Sequence, residues 1–123
     1  MAGEKIEKFR EERERLNQIV MKYGGTEIKR FYSIDSQVYR KGALPSKTKE
    51  LLGLVASLVL RCDDCIKYHI IQCHQEGVKD DELQEALSIG LVVGGSITIP
   101  HLRRAFEAWD ELKGEKNSHK NSK

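Results

Sequence analysis

The sequence lacks most of the features that mark specialised protein classes. It has no long apolar run. The longest, Leu51 to Leu60, is interrupted by Gly53 and Ser57 and falls well short of the ~20 residues a membrane-spanning helix needs. The opening stretch, MAGEKIEKFREERERL, holds no apolar segment of the signal-peptide kind. The expectation is a cytoplasmic chain with no membrane association. An excess of charge of one sign is also missing. The 21 Lys and Arg against 19 Asp and Glu leave a formal net charge of +2, which argues against a nucleic-acid-binding surface. Even that excess is local: Lys113 to Lys123 carries four lysines and one glutamate, so residues 1–112 sum to −1. Cysteines number three, an odd count that does not suit a secreted disulfide framework. In a reducing compartment, closely spaced cysteines are more often catalytic or metal-binding than structural.

Strand signals are missing too. No segment alternates with period two, and Val92-Val93 and Ile97-Thr98-Ile99 are short and broken by glycine. What is present is helical periodicity throughout. With 123 residues the chain suits a single all-α domain of about six helices. Residues 4–22 set Ile6, Phe9, Leu16, Ile19 and Tyr23 on one face among alternating Glu and Arg, and Gly24-Gly25 ends that helix. A second, from Thr26 to Arg40, spaces Ile28, Phe31, Ile34 and Val38 on one face. Lys41 to Pro45 breaks the pattern, and Ser46 is the expected cap of the third helix. That helix, to Leu60, has almost no polar face, which predicts burial on all sides and hence a subunit interface. Asp63 and Asp64 open a fourth helix ending at Gly77, Asp80 or Asp81 caps a fifth, and Gly94-Gly95 separates it from a last helix, Ser96 to Lys113. Pro100 fits only in the first turn of that helix. The reading divides the chain into an N-terminal helix at 1–25, a folded domain at 26–113 and a disordered basic tail at 114–123.

The chemistry concentrates in Cys62-Asp-Asp-Cys65-Ile-Lys-Tyr-His69. At about 100° per residue, Cys62, Cys65 and His69 fall on one arc of a helix. Two thiols three residues apart can form a disulfide at a helix start. His69, one turn beyond Cys65, can take its proton and favour the nucleophilic thiolate. Glu50 belongs to this group if the chain reverses near Arg61. The third and fourth helices then pack side by side, and a carboxylate in an apolar setting gains the imidazole as partner. Otherwise Glu50 is an exposed first-turn acid. A zinc site is a rival reading of the cysteines. However, Cys62 and Cys73 would lie ~16 Å apart along one helix axis, too far to share an ion held at ~2.3 Å, which leaves a three-ligand site completed by His74, His101 or another chain as the open form of that reading. Two core cysteines without chemistry are the plainest reading. Cys73 reads as a buried small residue, His74 as a surface residue, and His101 as a group that could reach the site from a neighbouring subunit. Tyr68 could shape the substrate entrance.

The pattern Glu50-x11-Cys62-x2-Cys65-x3-His69 resembles the signature of the alkyl hydroperoxidase D-like proteins in the carboxymuconolactone decarboxylase family. The likeness extends through Gly77, Asp80-Asp81 and Gly94-Gly95, covering roughly residues 30–112. The resemblance implies an all-helical bundle assembled as a homo-oligomer, often a hexamer, with no cofactor and no bound metal. It also implies a thiol-dependent peroxidase acting on a hydroperoxide or disulfide substrate. Cys65 would attack the peroxide, His69 would serve as base, Glu50 as relay carboxylate and Cys62 as resolving thiol, with an external dithiol as reductant. One position differs: Asp64 stands where the two-repeat member of the family has histidine. A metal-binding module, an inactive scaffold and a decarboxylase-type lyase are the alternative readings.

Overall fold

A computed structural model of the chain describes residues 3–121, with side chains as far as Gly114. Its described residues form helices and no strand: α1 (Glu4–Tyr23), α2 (Thr26–Val38), α3 (Ser46–Leu60), α4 (Asp63–Gln75), α5 (Asp80–Gly94) and α6 (Ile99–Asn121), with a 3-10 turn at Ser96–Thr98 before the last. The all-α expectation holds, and none of these helices is long and apolar enough to cross a membrane.

The core lies among α3, α4, α5 and α6. Leu54, Leu58, Ile66, Ile70, Leu83, Leu87, Ala105, Ala108 and Leu112 supply it, and Ile6 of α1 closes one side. Gly90 lets α5 approach α3 closely, because a Cβ there would stand 2.9 Å from a Leu58 methyl and 3.5 Å from the Val55 carbonyl oxygen. The first turns of α1 rest on α6, where Lys5 pairs with Glu107 at 3.1 Å and the Ile6 amide donates to Glu111 at 3.3 Å. Further along, Leu16, Ile19 and Tyr23 are exposed, and α2 buries no residue at all. The second half of α1 and all of α2 therefore form an arm whose apolar face, expected to be covered, is open within one chain.

The chain reverses at Arg61, the only non-glycine residue with positive φ among those described (φ 58°, ψ 40°). The Arg61 amide donates to Leu58 and that of Cys62 to Ser57, at 2.9 and 3.1 Å. This is a Schellman closure that lays α4 back alongside α3.

Several local expectations need correction. Ser46 is the first residue of α3, after Pro45, and its side chain makes no cap. Asp80 does not cap α5. Its carboxylate accepts instead from the Trp109 indole (2.8 Å) and Lys113 (2.9 Å), while Glu82 reaches back to the Lys79 amide (2.9 Å). Pro100 falls in the first turn of α6, as required. That helix was expected to stop near Lys113 but carries its backbone to Asn121; the side chains of the expected tail lie outside the described residues. The nearly apolar α3 packs against α4 and α5 but leaves Leu52 and Leu60 exposed.

Candidate active site

Two helix ends and one helix face build the site. Cys62 is the N-cap of α4, with extended backbone (φ −97°, ψ 98°), and its Sγ accepts the Cys65 amide at 3.3 Å. The two cysteines are joined as a disulfide, with Cα atoms 5.2 Å apart. Cys62 thus stands just outside the helix rather than on its arc, and the turn into α4 lets its sulfur reach Cys65. Cys65 is exposed in the first turn, where the unpaired amides of the helix N-terminus favour a thiolate.

One turn on, His69 is buried, and Glu50 from α3 is buried beside it; Oε1 of Glu50 lies 2.8 Å from Nδ1 of His69. An ionised carboxylate only accepts, so Nδ1 carries the proton and Nε2 presents its lone pair. The reversal at Arg61 makes this contact possible between residues 19 apart in sequence. Burial of a charged group in an apolar helix bundle is tolerated here because it is paired.

Sequence reasoning passed over Tyr39. Its hydroxyl lies 3.4 Å from His69 Nε2, with ring centroids 5.2 Å apart. Burial, then the charges of Asp35 and Glu50 and the neighbouring Tyr68, push the Tyr39 phenol up, so it stays protonated at neutral pH. Tyr68, expected at the entrance, packs edge-on to His69 at 5.3 Å and carries the Arg13 guanidinium over its outer face at 4.2 Å. A cavity of ≈ 670 Å³ opens beside the disulfide between α1, α2 and α4. Cys65, His69 and Tyr68 line it together with the apolar Phe9, Leu16 and Phe31 and with charged side chains such as Arg13, Asp35 and Lys67.

The remaining candidates lie elsewhere. His101 reaches Asp63 of its own chain, with Nδ1 2.8 Å from Oδ1, and Arg104 donates to Oδ2 of the same carboxylate at 3.2 Å. Burial pushes the Asp63 carboxyl up, but the hydrogen bonds and charges of His101 and Arg104 outweigh it and hold the group below its ordinary value. Cys73 is fully buried and free, as expected; burial, aided by Glu50 and Glu76, pushes its thiol up to about 12, so it is inert at neutral pH. His74 is half-buried rather than on the surface, with its ring edge-on to Trp109 at 5.7 Å. Among the described residues, no three His, Cys, Asp or Glu side chains converge as a metal site would require.

Comparison with known proteins bears on this geometry. Two crystal structures of one Thermotoga maritima protein superpose with TM-scores of 0.89 and 0.86. They are 58% and 60% identical, cover 90% of this chain in each case, and are themselves covered over 97% and 95%. A carboxymuconolactone decarboxylase family protein of Legionella pneumophila, 24% identical, shares the fold with a TM-score of 0.80 over 88% of this chain and 96% of that one. An uncharacterized protein of the cox locus of Paracoccus denitrificans is 26% identical over 84 residues, 68% of this chain and 76% of its own. A family model matches residues 28–108, from α2 through the site to Ala108 of α6, and by that match the chain belongs to the carboxymuconolactone decarboxylase family.

Proposed function

We propose that this chain is a thiol-dependent peroxidase of the alkyl hydroperoxidase type, with Cys65 as the attacking thiol and Cys62 as the resolving one. The observation that carries the reading is the buried Glu50–His69 pair, which opens on the same cavity as an exposed cysteine bonded to its neighbour three residues away. Glu50 fixes the tautomer of His69, and His69 takes the proton of Cys65. The thiolate attacks the outer oxygen of a hydroperoxide. The O–O bond breaks, an alcohol leaves with a proton, and the sulfur becomes a sulfenic acid. Cys62 condenses with that sulfenic acid, releasing water and forming the disulfide. An external dithiol returns both cysteines to thiols and is itself oxidised to a disulfide. The apolar Phe9, Leu16 and Phe31 in the cavity lining suit an organic hydroperoxide with a hydrocarbon body. The related Thermotoga protein, described as a candidate in the antioxidative response, supports the same direction.

The working unit is a homo-oligomer in this reading. Ile28, Phe31, Ile34 and Val38 on α2, with Val92 and Val93 at the end of α5 and Ile97 in the 3-10 turn after it, expose more apolar surface than an isolated domain of this size tolerates. The direct test is mass spectrometry of the reduced protein before and after tert-butyl hydroperoxide. The expected result is loss of two thiols per chain, recovered as the Cys62–Cys65 disulfide, with no loss at Cys73. A Cys65→Ser protein that consumed the hydroperoxide as fast as the parent would overturn the reading.

A further inference from the structure

Both nitrogens of His69 have a protein neighbour: Glu50 at Nδ1 and Tyr39 at Nε2. Tyr39 follows the last turn of α2, in the arm that otherwise touches the core very little. Its position is nevertheless held. The Lys49 ammonium, on the residue before Glu50, donates to the carbonyl oxygens of Val38 and Arg40, at 2.9 and 2.6 Å. Those carbonyls flank Tyr39, so one side chain of α3 clamps the backbone on either side of it. The same helix clears the space that the phenol and imidazole share. A Cβ at Gly53 would stand 2.8 and 2.9 Å from Cε1 and Nε2 of His69 and 2.9 Å from the Tyr39 hydroxyl. Three residues within about one turn of α3 therefore serve one contact: Lys49 holds Tyr39, Glu50 holds His69, and Gly53 makes room for both.

We propose that Tyr39 is a positioning residue of the thiol site, gripping Nε2 of His69 opposite Glu50. The inference rests on the thiol chemistry proposed above for its purpose. A phenol both donates and accepts. Toward the neutral imidazole its O–H points at the Nε2 lone pair. As Cys65 gives up its proton, the hydroxyl turns out of that lone pair, the proton enters at Nε2, and the phenol oxygen then accepts the new N–H. The ring of His69 thus keeps one orientation in both protonation states. Catalytic hydrogen bonds are often long until substrate is in place, and the 3.4 Å separation falls in that range. The hydrogen bond to the charged imidazolium is the stronger of the two, so removing the hydroxyl disfavours the thiolate–imidazolium state. The other titratable groups facing this pair are Asp35 from α2 and Tyr68 from α4, with Arg13 of α1 on Tyr68 and Cys73 near Glu50. All of them are kept in the variant tested.

The experiment is iodoacetamide alkylation of Cys65 in the reduced protein, followed by mass spectrometry from pH 5 to 9, for the parent and Tyr39→Phe. The ring is retained and only the hydroxyl is lost. The expected result is a rate about threefold to tenfold lower at pH 7 and a pH midpoint moved upward by about 0.5 to 1 unit, with an unchanged melting temperature. A folded Tyr39→Phe protein with the parent's rate and midpoint overturns the proposal, because a purely structural tyrosine would leave both in place. Should that variant not fold, spectra of the parent with 15N-labelled histidine decide. A slowly exchanging Tyr39 hydroxyl proton coupled to Nε2 of His69 supports the grip, and a hydroxyl exchanging at the solvent rate with no such coupling refutes it. Alkylation needs no peroxide, so the two readings fail separately. A shifted midpoint in a parent that ignores hydroperoxide sinks only the peroxidase. Peroxide consumption with an unshifted variant sinks only the role of Tyr39.

Discussion

The α3–α6 bundle and the α1–α2 arm carry similar apolar residues at similar helical spacing, yet they end in opposite situations. Leu54, Leu58, Ile70 and Leu83 are fully covered, whereas Ile28, Ile34 and Val38 are about half exposed and Phe31 is 70% exposed. Periodicity records which face of a helix is apolar and is silent about what covers it. In the bundle the cover is the chain itself. In the arm it is not, and the arm meets the bundle mainly through Lys49, Tyr39 and the cavity wall beside Cys65. Stability thus belongs to one region, while the site draws on both.

The largest effect expected separates the two regions by energy. Leu58→Ala, at a fully buried position, lowers the unfolding free energy by about 2–5 kcal/mol. Phe31→Ala changes that of the dissociated chain by less than about 0.5 kcal/mol and, in the homo-oligomer proposed above, lowers the assembly mass seen by light scattering. Urea titrations in which Phe31→Ala cost the dissociated chain as much as Leu58→Ala would erase the distinction. Next comes the core's contribution to the chemistry. In the peroxidase reaction proposed above, Glu50→Gln removes the carboxylate that holds the imidazole proton at Nδ1, so peroxide-dependent thiol loss slows by about 10²-fold. A change below twofold would show that the bundle supplies no relay.

The smallest effect concerns how α6 anchors the start of α4. Asp63 in the folded chain titrates below its ordinary value. Its pairing with His101 and Arg104 therefore stabilises the fold above that value and is lost as pH falls through the folded carboxyl's titration. The melting-temperature difference between the parent and Asp63→Asn should be largest near neutrality and shrink below about pH 4. A difference constant from pH 7 to 3 would mean that the charge plays no part in the anchor.

Much of this was legible because local rules and tertiary packing agree in the bundle. The cysteine spacing at an acidic helix start pointed to the site, and a carboxylate in an apolar helix needed a partner that only a reversal at Arg61 could supply. Where local rules compete, the reading slipped. Asp80 is a good cap by type, yet Trp109 and Lys113 from α6 draw its carboxylate away. His101 was read as a group that could reach the site from a neighbouring subunit, because nothing in its neighbours in sequence reveals that Asp63 of its own chain lies within reach. Tyr39 sits past the last periodic residue of α2, where a helical pattern carries no information. The one trace of it was indirect: Gly53, a poor helix former in the middle of an apolar helix, marks a space that two other side chains fill.

Cys62 ends one structural statement and begins another. Its amide closes the α3 terminus on Ser57, its carbonyl oxygen takes the first α4 bond from Ile66, and its sulfur receives the Cys65 amide while bonded to the Cys65 sulfur. The neighbouring Asp63 is pinned to α6. A residue tied at every backbone atom leaves little freedom for anything but the sulfur. The disulfide is thus held in a frame of backbone hydrogen bonds that joins the end of α3 to the start of α4. If the pair cycles as proposed, its reductant meets the disulfide from the side on which Cys65 faces solvent.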